Sequence, residues 1–147
     1  LVLIPIQTST EELFFRGYLL QSFGLKIRNQ IILSIISGVI FMLPHLLNPE
    51  AELNYLLMGL SYFAIGATLA YVTLRTGTLE IALGMHAANN LYTAIFANAV
   101  VTVMPTPSLF IVKELDVIYS TAATLIACLL FLLLFTRPKK VAESIDL

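Results

Sequence analysis

Apolar residues in this chain come in runs too long for the half-buried elements of a water-soluble domain. Gln30 to Leu47 holds eighteen residues without Asp, Glu, Lys or Arg, near the lower limit for a membrane span. Leu53 to Leu74 holds twenty-two uncharged residues, enough to cross with some tilt. Ile81 to Val112 is uncharged throughout, and its helix is predicted to end near Met104-Pro105-Thr106-Pro107, where two prolines cannot continue it. Val117 to Thr136 is the last such run, at twenty residues. Pro44-His45 with Asn48-Pro49, and Arg75-Thr76-Gly77, mark the ends of the first two. Leu1 to Ile6 reads as the tail of another membrane segment, broken by Pro5. A helix is then predicted from Thr10 to about Phe23, stopping at Gly24. Ser9 and Glu12 stand at capping-box spacing before it, and acids in a first turn suit the helix dipole. The pattern predicts an all-α, polytopic transmembrane helical bundle: a motif helix plus about four spans.

Composition agrees. Of 147 residues, 59% are hydrophobic and 12% charged, and mean hydropathy is +0.91. A soluble domain carries about 25% charged residues. The formal net charge of −1 and the absence of a basic run interleaved with aromatics argue against nucleic acid as a partner. The single cysteine, Cys128, excludes a disulfide within the chain and a CxxC metal site, and reads as apolar filler. No internal repeat or low-complexity linker divides the sequence. Residues 1–147 read as one membrane-embedded domain. The first residue is a leucine already inside an apolar run, with no basic region before it. The expectation is the C-terminal part of a longer polypeptide with further spans preceding it.

Orientation follows from the basic residues. Alternating the spans puts Lys26, Arg28, Arg75, Arg137, Lys139 and Lys140 at one face of the membrane. The other face receives only Lys113, with Glu50, Glu52, Glu114 and Asp116. By the positive-inside rule the first face is cytoplasmic, and the C-terminus with it.

One charged cluster breaks the apolar pattern: Thr10-Glu11-Glu12-Leu13-Phe14-Phe15-Arg16-Gly17. A charge inside a bilayer costs about 2.5–3.5 kcal/mol on insertion scales, so an intramembrane ionisable cluster is a functional hypothesis by default. At ~1.5 Å per helical residue, Glu11 lies about 20 Å from Gly24, His45 about 22 Å from Gln30, and His86 and Asn90 about 12 and 18 Å from Thr78. All fall inside a hydrocarbon layer of ~30 Å. Glu12 and Arg16 are i, i+4 with the acid first, the better orientation for a pair. His86 and Asn90 share one helix face at the same spacing, whereas Asn89 is predicted to point about a third of a turn away. Singly, each has a bland explanation: a structural ion-pair clamp, a satisfied histidine, or polar glue between membrane helices. Phe14, Phe15 and Phe41 read as core or lipid contacts. Convergence at one depth favours function.

The chemistry available to such a set is hydrolysis of an amide. In a low-dielectric site a carboxylate becomes a better proton acceptor near neutral pH, and Arg16 can keep one glutamate ionised while its neighbour acts as base. A histidine can hold the water. A second histidine and an amide can donate to a developing oxyanion. The same donors admit zinc, since Glu, His and His form a known catalytic ligand set. No GxSxG context surrounds Ser37 or Ser61. A non-catalytic scaffold and a proton-coupled transporter are the competing readings; the second lacks paired discontinuous-helix repeats.

Glu11-Glu12-x-x-x-Arg16, Phe41-x-x-x-His45 and His86-x-x-x-Asn90, in that order, resemble the motifs of the CPBP family of intramembrane proteases. That family includes the CAAX prenyl endoproteases and the bacteriocin-processing and self-immunity (Abi) proteins. Glu-Glu-Leu-Phe-Phe-Arg-Gly and Gly84-Met85-His86 look like its bacterial branch. The resemblance implies Glu11 as general base with His45 activating water, Glu12 and Arg16 supporting them, and His86 and Asn90 as oxyanion site. It implies an intramembrane endopeptidase in a bacterial cell membrane, cutting a peptide or protein, prenylated in some members, near the cytoplasmic leaflet. Family members are often labelled metalloproteases, but a glutamate mechanism needing no cofactor is favoured; if zinc is used, Glu11, His45 and His86 would hold it. The same fold also serves as a bacteriocin self-immunity protein.

Overall fold

The computed structural model describes residues 2–136. Leu1, and Arg137, Lys139 and Lys140 of the orientation count, lie outside the described residues. Helix α1 (Leu3–Glu12) runs through a π-helical segment, Leu13–Leu19, into α2 (Leu20–Gly24). There follow α3 (Gln30–His45), a 3-10 turn (Pro49–Leu53), α4 (Tyr55–Thr76) and α5 (Glu80–Ile95). Two short strands, β1 (Ala97–Ala99) and β2 (Phe110–Val112), precede α6 (Val117–Phe135). This is the expected all-helical bundle, a motif helix with four longer helices.

Side-chain caps set several of the starts. Asn29 accepts from the Ile31 and Ile32 amides at α3, Asn54 from Leu57 at α4, and Asp116 from Tyr119 at α6, satisfying donors that have no intrahelical partner. Gly77 ends α4 at φ 75°, where a side chain would be strained.

The N-terminal boundary differs from expectation. Ser9 lies inside α1, and the helix begins at Leu3. Pro5 therefore falls in the first turn, where its missing N–H leaves no bond unmade. The helix predicted to run from Ile81 towards Met104 stops at Ile95 instead. Its continuation turns extended, and β1 pairs in parallel with β2 at the register Ala97–Phe110, Asn98–Ile111, Ala99–Val112. Helices α4 and α6 are long and apolar enough to cross a membrane. At 16 residues each, α3 and α5 reach about 24 Å, short of the ~30 Å hydrocarbon layer.

Helix α4 is the centre of the bundle. α3 crosses it at glycines: a Cβ on Gly66 would stand 2.8 Å from Phe41 Cβ, and one on Gly38 2.9 Å from the Phe63 carbonyl oxygen. α6 joins it through Ser61 and Thr121, whose hydroxyls are 3.2 Å apart, with Thr121 donating to the Leu57 carbonyl. Leu69, Val72 and Ala82 pack α5 on α4; Leu20, Leu33 and Ala70 tie α2 to α3 and α4. Both ends of the bundle are stitched. Gln30 Nε2 reaches the Leu74 carbonyl at 3.5 Å, and Glu50 accepts from the Val103 amide at 2.9 Å. The second bond puts the 46–54 and 97–116 connections at one end of the bundle.

Gly66→Ala should destabilise the protein by about 1–3 kcal/mol, because the added methyl forces Phe41 off its seat. Thermal unfolding in detergent would measure this, and an unchanged midpoint would show the crossing to be looser than described.

Candidate active site

The polar cluster sits where α1 meets α5 and α4. Glu12 and Arg16 are both fully buried, and Arg16 Nη1 donates to Glu12 Oε1 at 2.9 Å. Arg16 lies on the π-helical segment, a distortion found disproportionately at functional sites. Its Nη2 donates to the Gly66 carbonyl at 2.9 Å, and its guanidinium stands 4.6 Å from the centre of the Phe41 ring. A buried guanidinium thus has a carboxylate, a carbonyl and an aromatic face as substitutes for water.

Glu12 also receives His86, whose Nδ1 is 2.7 Å from the same Oε1. A carboxylate engaged by Arg16 accepts only, so the imidazole donates there. Its Nε2 faces Glu11 Oε2 at 3.8 Å. Gln7 Nε2, one turn back on α1, donates to Glu11 Oε1 at 3.0 Å. Glu11 remains 25% exposed, against 0% for Glu12. Identical adjacent side chains thus have different surroundings: Glu12 is locked in protein, and Glu11 faces a cavity.

His45 enters from the last turn of α3. Its Nδ1 lies 2.8 Å from the Phe41 carbonyl, which can only accept. The proton is therefore on Nδ1, and in the neutral ring Nε2 offers a lone pair. His45 stacks on Phe41 at 4.4 Å and lies tilted against Tyr62 at 4.8 Å. Phe41 also contacts His86 edge-on at 5.8 Å. The two histidines therefore share one ring between them, and Phe41, read from sequence as mere core, is the shelf on which both rest.

Glu11, His45, His86 and Asn90 line a single cavity of about 720 Å³. Glu11, Glu12, Arg16 and His86 are joined by direct polar contacts; His45 joins by ring packing, and Asn90 by lining the same space. Asn89, about a third of a turn round the helix, also lines it. Its Nδ2 donates to Asn90 Oδ1 at 3.1 Å. That bond engages Asn90 Oδ1 and leaves its Nδ2 donors uncommitted. Gln7, Tyr62, Glu50 and Gly66 were not singled out in sequence. Ser34-x-x-x-Gly38 and Gly66-x-x-x-Ala70 carry the small-residue spacing that marks close helix crossings, and would have pointed to Gly66.

Among the described residues, no group of three or more His, Cys, Asp or Glu side chains is arranged to hold a metal ion. His86 Nδ1 and His45 Nδ1 are already committed to Glu12 and Phe41. Those bonds leave each Nε2 uncommitted, an arrangement that suits a histidine holding a water as well as one ligating a metal.

The cavity is also lined by Asn48, Glu50, Thr102, Met104 and Leu115. These belong to the end of the bundle opposite Lys26, Arg28 and Arg75.

The family model for the type II CAAX prenyl endopeptidase Rce1-like proteins matches residues 1–92, a stretch that includes Glu11, Glu12, Arg16, His45, His86 and Asn90. YyaK, an uncharacterized protein of Bacillus subtilis (strain 168), is 41% identical over 132 residues, covering 89% of this chain and 44% of YyaK. The chain thus spans less than half the length of this curated relative. No solved structure matches. The model's match runs through every helix that carries the polar cluster, and the chain belongs to the membrane-embedded Rce1-like family of type II CAAX prenyl endopeptidases.

Proposed function

We propose that residues 1–147 form one domain carrying the catalytic centre of a multi-pass intramembrane endopeptidase that needs no cofactor. The observation behind this reading is the division of labour between Glu11 and Glu12. One glutamate is fixed by Arg16 and His86, while its neighbour, steadied by Gln7, meets a cavity large enough for a peptide.

In the proposed reaction a water lies between Glu11 and the Nε2 lone pair of His45. Glu11 takes a proton from it as its oxygen bonds to the carbonyl carbon of the substrate amide, and the carbonyl π electrons move to oxygen. Asn90 Nδ2–H and His86 Nε2–H donate to that oxyanion. Because His86 already gives Nδ1–H to Glu12, its donation from Nε2 uses the doubly protonated ring, whose charge Glu12 offsets. Collapse reforms the carbonyl and breaks the C–N bond. Glu11 returns its proton to the departing amine, leaving a new carboxyl terminus and a new amino terminus. The substrate is a membrane-associated peptide or protein, with a prenylated C-terminus the first class to test on family grounds.

Glu11→Gln should cut hydrolysis of a farnesylated peptide ending in Cys-aliphatic-aliphatic-Xaa by about 10²–10⁴-fold, with the unfolding midpoint unchanged. Full activity in that variant would refute Glu11 as the base; absence of hydrolysis by the unsubstituted protein would sink the hydrolase reading and leave a binding scaffold or immunity protein. Arg16→Ala should act differently. It strands a buried carboxylate, which costs about 3–5 kcal/mol, so stability in detergent falls together with activity; a stable Arg16→Ala protein would refute the structural role given to the pair.

The basic face is proposed to be cytoplasmic, with the C-terminus on the same side. A Val103→Cys protein in a Cys128→Ala background should then react with a membrane-impermeant maleimide added outside intact cells. Labelling only after permeabilisation would reverse the orientation.

A further inference from the structure

The wall of the cavity facing the α-helical cluster is not helical. β1 contributes all three of its residues to it, whereas β2 contributes only Val112. The sheet has two strands, so β1 is paired on one side only. Phe96 accepts from the Phe110 amide, and the Val100 amide donates to Val112. Backbone groups alternate along a strand, so residues 96, 98 and 100 address β2, and Ala97 and Ala99 address the opposite edge. Both are alanines, whose methyl groups leave the backbone approachable.

The strand is also held in place. Asn98 is buried, donates from Nδ2 to the Met104 carbonyl at 2.7 Å and to Thr106 Oγ1 at 3.0 Å, and accepts from the Ala99 amide through Oδ1 at 2.9 Å. The last bond occupies the Ala99 N–H, so the edge presents chiefly acceptors. The loop that follows is pinned by the Val103 amide to Glu50, which in turn accepts from the Tyr62 hydroxyl at 3.0 Å. A rigid strand whose Ala97 and Ala99 carbonyls have no partner among the described residues, in the same cavity as Glu11, is a template for an extended chain.

We propose that the Ala97–Ala99 edge is the substrate-backbone site, where the peptide to be cut binds as an added strand and donates amide hydrogens to the carbonyls of Ala97 and Ala99. The identity of the occupant rests on the hydrolase reading above; the edge and its acceptors do not. An extended substrate exposes its scissile carbonyl, which a helical segment would keep in its own hydrogen bonds. Recognition by main chain also makes the site tolerant of sequence, leaving selection to side-chain pockets and to any attached lipid.

The test is an N-methyl scan of the farnesylated peptide, one backbone amide at a time. Binding is followed by fluorescence anisotropy on the full chain with Glu11→Gln, so that no cleavage intervenes. Strand addition predicts that methylation at alternate residues weakens binding about tenfold or more, the worth of one to two net amide hydrogen bonds, while the residues between are tolerated. Uniform tolerance, sensitivity without alternation, or no binding of the parent peptide would overturn the edge site. Cleavage of the parent by the unsubstituted protein reports separately on the hydrolase. Alternation without cleavage keeps the edge and rejects the catalysis; cleavage without alternation does the reverse.

Discussion

The desolvation of Arg16 is the constraint on which the rest depends. A guanidinium with no exposure has to find its partners inside the protein; Nε has none among the described residues, but each partner of Nη1, Nη2 and the guanidinium face fixes an element. Glu12 fixes the rotation of α1, the Gly66 carbonyl fixes the height of α4, and the Phe41 ring fixes α3. The glycine crossing of α3 and α4 brings the last two close enough together. The Glu12 oxygen that holds Arg16 also holds His86, so α5 is registered against the same point. Four elements meet at one ion pair, and the cavity is what remains beside it.

That arrangement explains why two consecutive glutamates differ. An α-helix turns by about 100° between neighbours, enough to point Glu12 into the packed interior and leave Glu11 at its edge. The proposed base is thus kept available by its neighbour's confinement. The same economy holds for the histidines, each of which has one nitrogen committed to a fixed acceptor and the other left toward the cavity or Glu11.

Much of this was legible in the sequence, for identifiable reasons. Apolar runs without charge determine where helices can lie in a bilayer, so α3, α4 and α6 could be read within a few residues. Glu12–Arg16 was readable because its i, i+4 spacing is local. The start of α1 was not, since Ser9 and Glu12 imitate a cap whose real alternative, Pro5 in a first turn, is equally permissible. The end of α5 was missed because Phe96 to Val103 is as apolar as a helix continuing into lipid, and its strand pairing depends on residues more than ten positions away. For Asn89 a helical wheel gives the angle but not the width of the cavity it lines. Gln7, Tyr62 and Glu50 carry no motif and became visible only through their partners.

The π-helical segment between α1 and α2 has a mechanical consequence. Its wider turn changes the angular phase of everything beyond it, so Leu20 can lock into Leu33 and Ala70 without dictating where Glu11 and Glu12 point. The anchoring half and the reacting half of one continuous helix are geared separately. Small adjustments of the reactive end can therefore be absorbed in the wide turn, and the anchor in the bundle need not slip.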